Sequence, residues 1–112
     1  MENNSWIMLE EQAQLDYIFG SEGNALIFKH STRCHISSLA LNRFNKEWRF
    51  DHDSCSCYLL DLLSYRHLSD EITRRLGIVH QSPQIILFRQ GKVIHAASHH
   101  EIDATEIQSK LL

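Results

Sequence analysis

Two runs of strand length, ALIFKH (25–30) and CYLLDLLSY (57–65), are each followed by apolar residues at helical steps, and this alternation constrains the fold more than anything else in the chain. A strand, a helix and a second strand in succession close as a right-handed crossover, which lays the two strands parallel. After the first run, Ile36, Leu39, Ala40, Phe44 and Trp48 recur at three- and four-residue steps and predict one face of a helix that begins at or next to Cys34. After the second, Leu68, Ile72 and Leu76 continue at four-residue steps to Gly77, a helix stop.

The flanks complete the pattern. Leu15, Ile18 and Phe19 at helical spacing before Gly20 predict a first helix over about 9–19, and SEGN supplies the turn that follows it. QIILFRQGKVIHAA reads as two strands joined at Gln90 and Gly91, where glycine takes the positive φ of a tight hairpin. Asp103 followed by Glu106 is a capping-box variant that opens a short C-terminal helix in ATEIQSKLL. The order is helix, βαβα, then ββα: an α/β domain with a central mixed four-stranded sheet flanked by helices, which is the thioredoxin layout.

With 112 residues the chain is long enough for one core without metal or disulfide staples, so residues 1–112 are read as a single domain. The formal charge is -3, from 11 Lys and Arg against 14 Asp and Glu, with the cations scattered, which argues against nucleic acid as a partner. No run approaches the roughly 18 apolar residues of a membrane helix, and MENNSWIMLEEQ lacks the order of a secretory signal. A cytoplasmic protein without a membrane partner is expected. Three cysteines cannot all pair within one chain, and a reducing compartment keeps them as thiols unless one is reactive.

Cys34 is the thiol in a position to react. A cysteine at a helix N-terminus gains thiolate character from unpaired backbone N–H groups and the positive end of the helix dipole, and Arg33 and His35 flank it. Three residues on lies Ser37, so the motif is Cys-X-X-Ser and an internal disulfide across it is impossible. Ser37 is placed to donate a hydrogen bond to the Cys34 thiolate, or simply to solvate the first turn; the two are compatible. Pro83, the only proline, precedes a strand pattern in HQSPQIILF. X-Pro is the bond that commonly goes cis, and a cis Ser82–Pro83 leaves the backbone of Ser82 free to pair with an incoming thiol-bearing chain; the plainer reading is a trans proline entering an edge strand.

KHSTRCHISS and LGIVHQSPQIILFRQGKVIHAASH resemble the YtxJ family of monothiol bacilliredoxins, within the thioredoxin-like superfamily, over nearly the whole chain. Gly77 with Ile78, Ser82 with Pro83, Phe88 and Gly91 look like the strand approach, cis-proline and hairpin of that fold. The resemblance implies a reductase of mixed disulfides between protein thiols and bacillithiol, the low-molecular-weight thiol of many Gram-positive bacteria that lack glutathione. It makes Cys34 the nucleophile, S-bacillithiolated proteins and a small thiol the partners, and bacillithiol a co-substrate, with no metal or bound cofactor and a monomer or weak dimer as the working form. One position departs from the family, which commonly has proline directly after the cysteine, where this chain has His35. A histidine there keeps a backbone N–H and adds a titratable charge, which is expected to help hold Cys34 as thiolate.

Lys29, Thr32 and Arg33 approach the same corner as Cys34, where a cation can steer an anionic thiol; as surface charges they need no such role. Cys55 and Cys57 belong to a strand parallel to the one before Cys34, and their end of it lies opposite the Cys34 terminus, too far for a disulfide; both are read as packing residues. His30 is read as a loop histidine at the end of a strand. Two rival functions stay open: a redox-inactive thioredoxin-like binding or adaptor domain, and a metal-binding domain built on His52, Cys55, Cys57 and His99 or His100, whose C-X-C spacing is tighter than that of structural zinc sites.

Overall fold

The computed structural model describes residues 6–112. Its elements are strand β1 (Ile7–Met8), helix α1 (Gln12–Gly20), β2 (Asn24–His30), α2 (His35–Glu47), β3 (Ser56–Asp61), α3 (Arg66–Leu76), β4 (Gln84–Arg89), β5 (Lys92–Ser98), a 3-10 turn (His99–Glu101) and α4 (Ala104–Ser109). The sheet runs β1-β3-β2-β4-β5. β3 is parallel to β2, with Ala25 opposite Ser56 and His30 opposite Asp61, whereas β4 is antiparallel to β2, with Lys29 opposite Gln84. The expected four strands are thus extended at one edge by β1, whose Ile7 and Met8 pair parallel with Tyr58 and Leu59. Two residues are too few to show an alternating pattern in sequence. The first helix accordingly starts at Gln12 rather than near 9, where the Gln14 side chain accepts hydrogen bonds from the Glu10 and Glu11 amides at 2.7 and 3.0 Å.

β2 is the central strand, and its alternate residues face two different cores. Ala25 and Ile27 pack with Leu15 and Ile18 of α1, Leu68 and Ile72 of α3, and Ile86 and Phe88 of β4. Leu26 and Phe28 pack on the other side with Ala40 and Phe44 of α2, Trp48, and Ile107 of α4. This period of two decides which side chains meet the helix that carries Cys34.

The buried face of α2 is Ser37, Ala40 and Phe44, with Trp48 stacked on Phe44 at a ring separation of 5.0 Å. Ile36 and Leu39, expected on that face, are instead 60% and 53% exposed. The stripe is anchored by the two aromatic rings at its far end, and stepping back from Phe44 by four and three residues reaches Ala40 and Ser37. A polar residue therefore occupies the core-facing position of the first turn.

The ends of the elements follow local chemistry. Gly77 closes α3 in a left-handed conformation, φ 71°, with its N–H on the Thr73 carbonyl at 2.8 Å. Gln90 and Gly91 both have positive φ, 53° and 78°, the signature of a two-residue hairpin. Gly91 has a second reason to be glycine: a Cβ there would lie 2.2 Å from the Phe19 carbonyl oxygen. Asp103 caps α4 by accepting from the Thr105 and Glu106 amides at 2.9 and 3.3 Å. Among the described residues no helix is long and apolar enough to cross a membrane.

Candidate active site

β2 ends at His30, where the carbonyl accepts from the Leu62 amide of the β3 side at 2.9 Å. A turn of Ser31 to Arg33 then reverses the chain, closed by Cys34 N–H on the Ser31 carbonyl at 3.1 Å. Cys34 is the N-cap of α2 with extended backbone, and the first intrahelical bond runs from Ser38 N–H to the Cys34 carbonyl at 3.1 Å. The amides of His35, Ile36 and Ser37 precede that bond, so the half-buried thiol stands at the positive end of a 13-residue helix. Its side chain makes no capping hydrogen bond, which leaves the sulfur available to a partner. Thr32, Arg33 and His35 form an exposed rim around it.

Ser37 is fully buried, one turn below Cys34. Its Oγ lies 2.6 Å from His30 Nδ1 and accepts from the Ser31 amide at 3.2 Å. The expectation that this hydroxyl turns toward the Cys34 sulfur is corrected: the inward face of α2 aims it at β2, where His30 stands on the same side as Leu26 and Phe28. His30 is itself only 7% exposed, and burial pushes its pKa below the ordinary histidine value, with the Asp61 charge opposing. A neutral buried histidine thus clamps the first turn of α2 to the end of the central strand. The sequence signal for this pair was a serine on an apolar helical stripe, seven residues after a histidine on an inward strand position.

The second segment at this end precedes β4. Because Gln84 is opposite Lys29, the preceding Pro83 comes alongside His30, at the same end of β2 as Cys34. The Ser82–Pro83 bond is cis, Pro83 is buried, and its carbonyl accepts from the His99 amide at 3.0 Å. His99 has φ 55° and begins the 3-10 turn that packs against α2. Ser82 Oγ is buried without a hydrogen-bond partner among the described residues, the state of a group that an incoming ligand can satisfy.

Lys29 is the site residue that the structure moves furthest. It is fully buried, and its position in β2 shares the face of Ala25 and Ile27, away from α2. Its Nζ meets His80 Nδ1 at 3.3 Å. Direct contact with the carboxylates of a thiol from solvent is therefore not open to it; strand alternation sends neighbouring residues to opposite faces, so adjacency to the Cys34 corner in sequence misleads.

Cys57 is opposite Leu26 on β3, four residues before His30 and so roughly 13 Å along the strand from the Cys34 end, beyond the ~7 Å between Cα atoms that a disulfide spans. All three cysteines are free thiols. Cys55 and Cys57 are buried in the apolar core beneath α2 and α4, and Cys57 Sγ lies 3.6 Å from the Cys55 carbonyl. Interaction with Cys55 and burial push the Cys57 thiol far above the ordinary cysteine range. The histidines and cysteines of residues 52–57 do not assemble with His99 or His100: among the described residues no group of three or more His, Cys, Asp or Glu side chains is arranged to hold a metal.

A half-buried thiol at a helix N-terminus, with a cis-proline at the same end of the central strand and no second cysteine in reach, is the arrangement with which known proteins can be compared. The family model described as monothiol bacilliredoxin BrxC matches residues 7–107. The chain belongs to that family. Among solved structures, a candidate oxidoreductase with a thioredoxin fold is 27% identical, with 92% of this chain and 90% of that one covered and a TM-score of 0.79. Thioredoxin from Malassezia sympodialis is similar at 18% identity, 99% and 91% coverage and a TM-score of 0.73, and thioredoxin from Trypanosoma brucei brucei at 14%, 96% and 88%, and 0.68. The last two establish the thioredoxin fold. Membership of the bacilliredoxin family makes the chain a thiol oxidoreductase, with protein thiols as the class of partner.

Proposed function

We propose that this bacilliredoxin removes bacillithiol from S-bacillithiolated proteins by monothiol exchange at Cys34. The observation that carries the reading is the placement of Cys34: half-buried at the start of α2, at the end of β2 where the register also brings Ser82 and Pro83, while the other two thiols lie buried toward the far end of the strands. In the first step the Cys34 thiolate attacks the bacillithiol sulfur of the mixed disulfide. The bond between bacillithiol and the substrate sulfur breaks, the Cys34–bacillithiol disulfide forms, and the substrate leaves as a thiolate that takes a proton from water. A second low-molecular-weight thiol then attacks the bacillithiol sulfur of that adduct and returns Cys34 to the thiolate. No net oxidation occurs at the protein. The exchange needs no metal or bound cofactor, and bacillithiol enters as co-substrate.

The roles divide by position. The amides at the start of α2 favour the thiolate, and the backbone at Ser82–Pro83 pairs with the substrate segment that carries the disulfide. Arg33, Thr32 and His35 face solvent at the rim, where a carboxylate-bearing thiol approaches. Ser37 acts behind the thiol by tying the first turn to His30. The test is mass spectrometry of the parent and Cys34→Ser proteins after exposure to bacillithiol disulfide, followed by transfer from a bacillithiolated protein. An adduct on Cys34 with release of the substrate thiol supports the reading. Reaction at Cys55 or Cys57 alone, or no transfer, overturns it in favour of a thioredoxin-like binding domain.

A further inference from the structure

On the face of β2 away from α2, buried Lys29 and Ser69 meet half-buried His80 in a polar cluster that joins β2, α3 and the segment before β4. Lys29 of β2 places Nζ 3.3 Å from His80 Nδ1, and Ser69 of α3 places Oγ 3.1 Å from the same nitrogen. An ammonium can only donate, so Nδ1 is the unprotonated nitrogen and His80 is the neutral tautomer with its proton on Nε2. One residue before it, the Val79 carbonyl accepts from Nε2 of buried Gln84 at 3.1 Å. Val79 and His80 are therefore held by two register partners, Gln84 and Lys29, in a stretch without helix or strand, residues 77–83, that leads through Gln81 to Ser82 and Pro83.

The choice of lysine calls for a reason other than stability. A methionine of similar length fills the same space without the desolvation of an ammonium. Resting on the reading of Cys34 as the exchange centre, we propose that Lys29 and His80 are positioning residues: their hydrogen bond holds Ser82–Pro83 in register with the substrate, and a proton arriving on His80 Nδ1 releases it. Protonation removes the acceptor and sets an imidazolium against the ammonium. The charged groups acting on His80 are Lys29 from β2, with Arg66 and Asp70 from α3; Ser69 of α3 and Gln84 of β4 add only neutral groups. Burial, then the charges of Lys29 and Arg66, hold the His80 pKa below the ordinary value, with Asp70 opposing. Burial lowers Lys29 to about 8, with Asp70 raising it and Arg66 lowering it. The contact accordingly stands at neutral pH and is lost on acidification below the ordinary histidine range.

The experiment compares two reactions of Cys34 across pH 5 to 8: exchange with a bacillithiolated peptide, which needs the Ser82–Pro83 segment, and alkylation by iodoacetamide, which needs only the thiolate. In the parent the ratio of exchange to alkylation is expected to be level near pH 7 and to fall as His80 protonates. His80→Asn, which keeps a side-chain acceptor and cannot titrate, should hold the ratio level to pH 5. His80→Leu should lower it about tenfold at pH 7.5 with alkylation unchanged, the scale of a small misplacement of a substrate-positioning group. NMR titration gives a readout that does not depend on exchange: the His80 ring and the Ser82 amide should report one transition, and Lys29→Met should move it toward the ordinary histidine pKa. A level parent ratio, a fall retained in His80→Asn, or a Ser82 amide indifferent to the His80 titration overturns the positioning role. Alkylation without exchange in the parent at every pH, with the two NMR signals still titrating together, would instead count against bacillithiol exchange itself.

Discussion

Cys34 and Cys57 are the same side chain at opposite ends of the same pair of parallel strands, and their surroundings assign them opposite chemistry. Cys34 is half-buried at the N-terminus of α2, beside backbone amides that precede the first intrahelical hydrogen bond and the positive end of the helix dipole. Cys57 sits among Leu26, Phe44 and Trp48, where burial and the neighbouring Cys55 hold the proton on. On the proposed exchange at Cys34, thiol reactivity is a property of the end of the sheet rather than of the residue. The proposed chemistry gathers at the carboxyl end of β2, as is usual where parallel strands feed helices.

The largest expected effect breaks that comparison outright. Cys34→Ser should abolish bacillithiol transfer, because a serine hydroxyl stays protonated at neutral pH and does not enter thiol exchange, whereas Cys55→Ala and Cys57→Ala should keep the parent rate once folded. Initial rates of substrate release from a bacillithiolated protein measure both. A loss of transfer in Cys57→Ala with native stability would show that the two ends are chemically linked after all.

The next effect reads Cys57 through folding. Its folded pKa is raised, so its unfolded counterpart ionises first, near the ordinary value of about 8.5. Stability linked to this thiol is complete below that pH and is lost as pH rises above it, at about 1.4 kcal/mol per pH unit. Urea unfolding at pH 8 and pH 10 should show the loss in the parent, and Cys57→Ala should remove this part of it while being less stable at pH 8 by roughly 1 kcal/mol for the vacated core volume. An unchanged slope would mean that Cys57 is solvated in the native state.

A smaller effect separates support of the thiol turn from activation of the thiol. Ser37→Ala leaves His30 Nδ1 buried without its partner, at a cost of about 1–3 kcal/mol, while the rate of Cys34 alkylation at pH 7 should hold within roughly twofold, because the hydroxyl bonds His30 and not sulfur. The His30 pKa is lowered in the fold, so the unfolded chain takes up its proton first on acidification. The associated stability is present above the ordinary histidine value and falls as pH drops through it. A large drop in alkylation in Ser37→Ala would restore the direct contact with Cys34 that the sequence suggested.

The sequence made the frame legible because the frame is written in periods. The alternation of apolar runs and helical faces gives β2 to β5 and α1 to α3, Gly77 and Gly91 mark real left-handed turns, and Asp103 is the cap it looks like. β1 escaped because two residues carry no period. Within the candidate site, the place of Cys34 at the start of α2 and the cis Ser82–Pro83 bond are legible from single residues with strong local meaning. Lys29, Ser37 and His30 were misplaced for one shared reason: each is polar and stands on an inward position, where pattern reading expects apolar residues and sends polar ones to the surface. Their partners lie 51 residues away for Lys29 and seven for the His30–Ser37 pair, distances that no local spacing rule spans. Ile36 and Leu39 show the converse, apolar residues that the true stripe leaves beside Cys34 in solvent.

The smallest expected effect concerns His35, the residue that departs from the family beside Cys34. It is exposed, so any field it sets at the sulfur acts through water and is screened by salt. Any charge next to the N-cap adds to the helix amides without replacing them, and exposed charge pairs contribute only about 0–1 kcal/mol. His35→Ala is therefore expected to slow Cys34 alkylation by no more than about fivefold at low ionic strength, with the difference vanishing at ~1 M salt, where the screening length is about 3 Å. His35→Pro, which restores the family residue, should behave like His35→Ala in its salt dependence while stiffening the first turn of α2. If the alanine variant matched the parent at low salt, the helix terminus alone would account for the reactivity of Cys34, and the contrast with Cys57 would reduce to backbone dipole against burial.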